Sequence, residues 1–257
     1  MNHSAEDQVH LTELETALAE ATEALKAEQE ARQAFVSLVT HELRVPMTSI
    51  KGYTDLLIKG IMGPVSDAQL SFLHTIRANV ERMSKMVSDL SDINKIEGRR
   101  LSVSLTPVDV AMVVQEVTES VRATLEAKTL TLTTEPQAAV VLADRSRLAQ
   151  VLGYLLDNAM QYTPDGGNIT ITAVVASEDP QRVRITVADT GYGIPEEEQD
   201  RIFEMFFRAS DEETRATPGN GLSLNLSRRL LALQDGEIGF SSRRGSGSTF
   251  WVTLPAA

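Results

Sequence analysis

The stretch Phe35–Tyr53, FVSLVTHELRVPMTSIKGY, decides the fold, because it sets a histidine, an adjacent glutamate and a proline inside a helical apolar pattern. Phe35, Leu38, Val39, Leu43, Ile50, Tyr53 and Leu57 recur at helical intervals, so one long helix is expected through it. The pattern stops at residues 60–67, GIMGPVSD, where Gly60, Gly63 and Pro64 supply turn chemistry. Ser66 and Gln69 then have capping-box spacing, and Leu70, Leu73, Ile76, Val80, Met83, Val87, Leu90 and Ile93 restart the helical period up to Gly98. Two antiparallel helices are the expectation. A lone hairpin buries one stripe of each helix, so this much apolar surface calls for a second copy in a dimeric four-helix bundle, with Met83 and Met86 in its core.

Upstream, Leu11, Leu14, Leu18, Ala21 and Leu25 alternate spacings of three and four in a segment without Gly or Pro. That seam lapses at Glu28 and Arg32. It reads either as a short parallel coiled coil in a dimer or as a solvated amphipathic helix that continues into the hairpin. Residues before Phe35 are too few for an ordinary domain, so the chain is expected to be a piece of a longer protein or to take its input from a separate protein.

Among the 257 residues, 36 acids outnumber 24 bases for a formal charge of -12, which argues against nucleic acid or anionic lipid as a partner. With no cysteine there is no disulfide framework and no thiolate metal site, which suits a reducing compartment. No apolar run approaches the roughly 20 residues that span a bilayer, and MNHSAEDQVH lacks the regions of a secretory signal. A cytoplasmic location is expected.

After Gly98 the pattern changes to short alternating runs mixed with helices. Strands are expected in LSVSLTPVD, TLTLTTE, AVVLAD, NITITAVVA, RVRITVADT, GEIGFSSR and GSTFWVTL, with helices from Val110 to Ala127, over RSRLAQVLGYLLDNAMQY and over LSLNLSRRLLAL. Strands in adjacent pairs imply a mixed, largely antiparallel sheet covered on one face by helices, an α+β sandwich. The expected organisation is therefore a helical or coiled-coil start (1–34), a helical hairpin (35–98) and an α+β domain (99–257).

Four stretches in the last region carry chemistry. In ADTGYGIP, Asp189 ends a strand and precedes Gly191 and Gly193; a carboxylate there accepts from an exocyclic amine such as that of adenine, while a plain tight turn is the other reading. In GNGLSLNLSRRLL, Gly219 and Gly221 precede a helix, the arrangement in which free amides bind phosphate, or a flexible hinge before a cap. Between them, FEMFFRASDEETRATPGN is placed to close over a nucleotide as a lid. In YLLDNAMQYTPDGG, the Asn158 amide oxygen suits a magnesium ion that bridges phosphates.

Taken in this order after a His-Glu hairpin, these runs resemble the core of a sensor histidine kinase of two-component signalling, from about Phe35 to Leu254. THELRVPMTSI resembles the phosphoacceptor box, YLLDNAMQYTP the asparagine box, DTGYGIP the first glycine box, RIFEMFFR the phenylalanine box and GNGLSL the second glycine box. The resemblance implies an ATP- and Mg2+-dependent homodimer in which His41 takes the γ-phosphoryl group and passes it to an aspartate on a response-regulator receiver domain. Glu42 would fix the imidazole tautomer, and Pro46 would bend the helix just beyond. Asn158, Tyr162, Asp189, Gly191, Gly193, Arg208, Gly219, Gly221 and Leu222 are then the expected nucleotide-binding residues, with Asn158 also the metal ligand.

Departures from the pattern carry their own expectations. Val45 stands where the family usually has Thr or Asn to position a hydrolytic water, so phosphatase activity should be low. Tyr154 replaces a further Asn and Gln161 a phosphate-contacting base, leaving Arg208 or Arg215 to supply the missing charge. Ser223 replaces a glycine of the second glycine box. A phosphotransfer or scaffold protein of the same fold with a weakened ATP site is the alternative reading. A chaperone- or topoisomerase-like ATPase is disfavoured by the His-Glu hairpin.

Overall fold

The structure is a computed structural model that describes the backbone of residues 3–137, 139–209 and 219–257, with side chains from Leu18 onward. The chain divides into two compact units, Met1–Leu101 and Ser102–Ala257.

The first unit is an antiparallel pair, α1 (His3–Ile58) and α2 (Asp67–Glu97). Ser66 caps α2 as its sequence spacing requires: its hydroxyl accepts from the Gln69 amide while the Gln69 side chain accepts from the Ser66 amide. The seam between the helices is heptad-spaced on both sides. Thr40, Met47 and Thr54 are buried on α1 and Val80, Val87 and Asn94 on α2, with Met47 packed between the two valines. Polar contacts set the register: Lys51 Nζ lies 3.1 Å from Glu81, Arg77 lies 3.4 Å from Asp55, and the Asn94 amide donates 2.9 Å to the Gln33 carbonyl. The bend expected at Pro46 does not interrupt α1, whose helical backbone continues on either side. Leu11 and Leu14 of the expected coiled-coil seam have side chains outside the described residues, whereas Leu18 and Leu25 are exposed in the single chain.

The second unit runs β1 (Thr106–Asp109), α3 (Val110–Ser120), α4 (Arg122–Ala127), β2 (Thr131–Pro136), β3 (Val140–Ala143), α5 (Arg145–Tyr162), β4 (Asn168–Val175), β5 (Arg182–Asp189), a 3-10 helix (Glu196–Arg201), α6 (Ser223–Ala232), β6 (Glu237–Ser242) and β7 (Ser248–Pro255). The main sheet has order β2-β4-β5-β7-β6, parallel only between β2 and β4, while β1 and β3 pair separately. It is mixed and largely antiparallel.

Alternation puts Ile169, Ile171, Val183, Ile185, Val252 and Leu254 on one face, almost fully buried, against Leu148, Leu152 and Leu155 of α5 and Leu226 and Leu230 of α6. Burying a side chain of this kind contributes about 1.5–3 kcal/mol, so this layer dominates the stability of the unit. The single helix expected over residues 110–127 is divided at Val121, whose ψ of 4° leaves the helical range. The strand expected over LSVSLTPVD begins only at Thr106.

Candidate functional site

In the first unit, His41 follows a residue turned into the helix seam. Thr40 is 3% exposed, and its hydroxyl donates 2.9 Å to the Ser37 carbonyl. One residue further, the helical period carries the imidazole outward, where the His41 and Glu42 side chains are 71% and 70% exposed. His41 Nδ1 stands 3.3 Å from Glu42 Oε1. A carboxylate only accepts, so this contact selects the tautomer with its proton on Nδ1 and leaves the Nε2 lone pair free. Val45, one turn on, is exposed near it.

The second unit holds a cleft with a cavity volume of about 100 Å³, built from separated segments. The end of α5 contributes Asn158, Ala159 and Tyr162, the end of β5 Asp189, and the following loop Gly193, Ile194, Ile202, Phe207, Arg208 and Ala209; Leu224 of α6 and Ser248 and Phe250 of β7 close the wall. Five residues expected from the sequence thus meet: Asn158, Tyr162, Asp189, Gly193 and Arg208.

Asp189 is anchored from two directions. The Gly191 amide donates 2.8 Å and the Ser248 amide 3.2 Å to its Oδ1, leaving Oδ2 to accept from a ligand. Burial pushes its pKa above the ordinary carboxylate value, against the two amide bonds that pull it down. Gly193, at φ 69°, passes so close to the Arg243 carbonyl that any Cβ would collide with it, which keeps this wall of the cleft thin.

The second glycine run behaves unequally. Gly221 has φ 66° and presses on the backbone of Phe206 and Phe207, and its carbonyl accepts 2.9 Å from the Phe206 amide. Among the described residues, the nearest neighbours of a Cβ on Gly219 would be Gln161 Nε2 at 3.6 Å and Arg208 Nε and the Tyr162 hydroxyl, both at 3.7 Å. Among the described residues that line the cleft, Gly193 is present and Gly191, Gly219 and Gly221 are not. The Leu222 side chain is fully buried, so any ligand contact at this residue falls to its backbone. Its own amide donates 3.1 Å to Asn220 Oδ1.

Tyr154 is a core residue, 5% exposed, whose hydroxyl accepts 3.1 Å from Gln150, so its bulk is used inside the unit. Gln161 and Arg208 flank Gly219 together, which places a guanidinium beside the neutral amide. Arg215, the other expected source of charge, lies outside the described residues. Among the described residues no group of three or more acidic or histidine side chains is arranged for a metal ion; the Asn158 amide on the cleft wall offers an oxygen of the kind Mg2+ takes.

Ile194, Ile202, Phe207, Leu224, Ser248 and Phe250 were not anticipated from the sequence. Ile194, Ile202, Phe207 and Leu224 lie inside the quoted glycine and phenylalanine boxes without having been singled out, and alternation in GSTFWVTL puts Ser248 and Phe250 on one face, but which strand Ser248 meets is set by the Asp189–Ser248 register.

Residues 31–99 match the family described as "His Kinase A (phospho-acceptor) domain", and residues 143–257 match "Histidine kinase-, DNA gyrase B-, and HSP90-like ATPase". The sensor histidine kinase WalK of Bacillus subtilis is 30% identical over 91% of this chain and 38% of its own length. The sensor-like histidine kinase SenX3 of Mycobacterium tuberculosis is 32% identical over 88% of this chain and 54% of its own. The "Non-motile and phage-resistance protein" of Caulobacter vibrioides is 31% identical over 91% of this chain and 28% of its own. The chain thus spans between about a quarter and just over half of these relatives. Among solved structures, full-length ShkA in complex with AMPPNP superposes with a TM-score of 0.70 at 28% identity, over 86% of this chain and 45% of that one. The Acinetobacter baumannii histidine kinase AdeS gives 0.60 at 27% identity, over 84% and 97%. Within the described residues no helix is long and apolar enough to cross a membrane.

Proposed function

Since the chain belongs to the sensor histidine kinases of two-component signalling, we propose that it is an ATP-dependent protein-histidine kinase that phosphorylates itself on His41 and passes the group to an aspartate of a response-regulator receiver domain. The observation that carries this reading is the anchored Asp189 at the back of the cleft. Two backbone amides converge on Oδ1, and Oδ2 is left for the exocyclic amine of adenine. Ile194, Ile202 and Phe250 supply apolar wall for the flat base, and Asn158 and Arg208 lie on the same cleft for the phosphates.

The His41 Nε2 lone pair attacks the γ-phosphorus as the bond to the β,γ-bridging oxygen breaks, giving phosphohistidine and ADP. Glu42, accepting from Nδ1, holds the tautomer and stabilises the positive charge that the ring gains. Asn158 fits a Mg2+ ligand, and that ion would neutralise charge on the phosphates. A receiver aspartate then takes the phosphoryl group from Nε2. Val45, an exposed aliphatic side chain near His41, gives a hydrolytic water no hydrogen bond, which supports low phosphatase activity.

The bundle is proposed to form between two copies. Leu43 and Ile50 on α1 and Ile76, Met83 and Met86 on α2 remain 38–48% exposed in one chain, beside the buried seam. A second hairpin would cover them.

Incubation with γ-labelled ATP and Mg2+ tests the assignment. Acid-labile, base-stable label is expected on the wild type and is expected to be absent from His41→Gln and Asn158→Ala. Retention of full label in His41→Gln would overturn the role of His41. No label, with no ATP binding, would put the phosphotransfer or scaffold reading first.

A further inference from the structure

The end of α5 lies at the nucleotide cleft, yet its last turn holds no basic residue to meet the helix dipole. The cation comes from elsewhere in the unit. Lys128, just past α4, donates 2.7 Å to the Met160 carbonyl and 3.0 Å to the Thr163 carbonyl. Its own carbonyl accepts 3.1 Å from the Gly166 amide, so the loop beyond α5 is tied to the same residue. The neighbouring carbonyls are also satisfied: that of Ala159 by the Thr163 amide and hydroxyl, and that of Tyr162 by the Tyr192 amide at 3.1 Å. Lys128 thus fixes the turn that presents Tyr162 to the cleft, and the Tyr162 carbonyl packs on Gly191 in the loop that anchors Asp189.

We infer that Lys128 is a positioning residue for nucleotide binding: by capping α5 it sets the Tyr162–Gly191 contact and hence the attitude of the Asp189 carboxylate. The inference rests on the reading of the cleft as an ATP site. It separates affinity from turnover, because Lys128 acts on the cleft through α5 and is not among the residues that line it. The opposite end of α5 offers a control. Gln234, fully buried, accepts 2.8 Å from the Asp144 amide and donates 2.9 Å to the Leu230 carbonyl, so it pins the helix start away from the cleft.

The test compares binding of a fluorescent ATP analogue and the KM and kcat of self-phosphorylation in the wild type, Lys128→Met, Lys128→Gln, Lys128→Arg and Gln234→Leu. Loss of a charge-assisted cap is expected to raise the dissociation constant and KM for ATP on the order of tenfold in Lys128→Met, with kcat within about twofold of wild type. Lys128→Gln, which keeps an amide donor and serves if the methionine variant does not fold, should fall between. Lys128→Arg should restore near wild-type KM. Gln234→Leu should lower Tm at least as much as Lys128→Met without moving KM. Unchanged KM in both neutral Lys128 variants, or an equal rise in Gln234→Leu, would overturn the positioning role while leaving the ATP site intact. Failure of the wild type to bind the analogue would overturn both.

Discussion

Asp189 serves two ends that oppose each other. Burial disfavours its charged form, and the Gly191 and Ser248 amides recover only part of that cost, so its folded pKa lies above the unfolded value of 3.8. For a carboxylate raised on folding, the native state binds more protons than the unfolded chain between the two pKa values. Stability therefore falls as pH rises through that window, and the penalty is fully present at neutral pH. Binding has the opposite sign, since the ionised carboxylate is the stronger acceptor for an adenine amine and offers no competing O–H donor. Asp189→Asn keeps an Oδ1 for both backbone amides while removing the charge. It is expected to hold or raise Tm at pH 7, by calorimetry, and to weaken ATP binding at least about tenfold, since a hydrogen bond to a charged group is lost. In the wild type, ATP affinity should decline on acidification at a pH above the ordinary carboxylate range; titration calorimetry across pH showing the same decline in Asp189→Asn would assign it elsewhere.

Among elements, the loop before α6 shows where a motif and its geometry part company. Gly219 and Gly221 look equivalent in GNGLSL, yet only Gly221 has a positive φ and a backbone at its Cβ position. Gly221→Ala is expected to cost about 1–2 kcal/mol from the left-handed conformation alone, with more from displacing Phe206 and Phe207. Gly219→Ala should leave denaturation midpoints within about 0.5 kcal/mol of wild type, as for a surface position, and its effect is expected on nucleotide binding beside Gln161 and Arg208. Equal loss of stability in urea unfolding would contradict the distinction. The same scale shows what could be read beforehand. The two motifs holding Asn158 and Asp189 do meet at one cleft, and both hairpin helices and the cap at Ser66 were legible, because periodicity and capping spacing are local in the chain. The break at Val121, the burial of Leu222 and the core role of Tyr154 were not, because each depends on what packs against it from remote segments. Ser248 reaches Asp189 through a strand register that spans 59 residues.

For the molecule as a whole, the first unit poses a question of solvent. One hairpin buries Met47, Val80 and Val87 in its own seam and leaves Ile50 45% and Met83 48% exposed beside it. Such a stripe, repeated at heptad spacing along both helices, is more apolar than a solvated face requires, and two hairpins placed seam to seam would remove it from water. Folding and association are then linked, so Tm should rise with protein concentration. The double variant Ile50→Glu/Met83→Glu puts carboxylates into that stripe, where burial without a partner is costly. It is expected to weaken self-association at least about tenfold and to shift the protein from dimer to monomer in sedimentation equilibrium. The cleft is built wholly within residues 102–257, so binding of a fluorescent ATP analogue should survive the change. A wild type that stays monomeric at tens of micromolar, with a concentration-independent Tm, would show that the exposed stripe is covered by something other than a second copy.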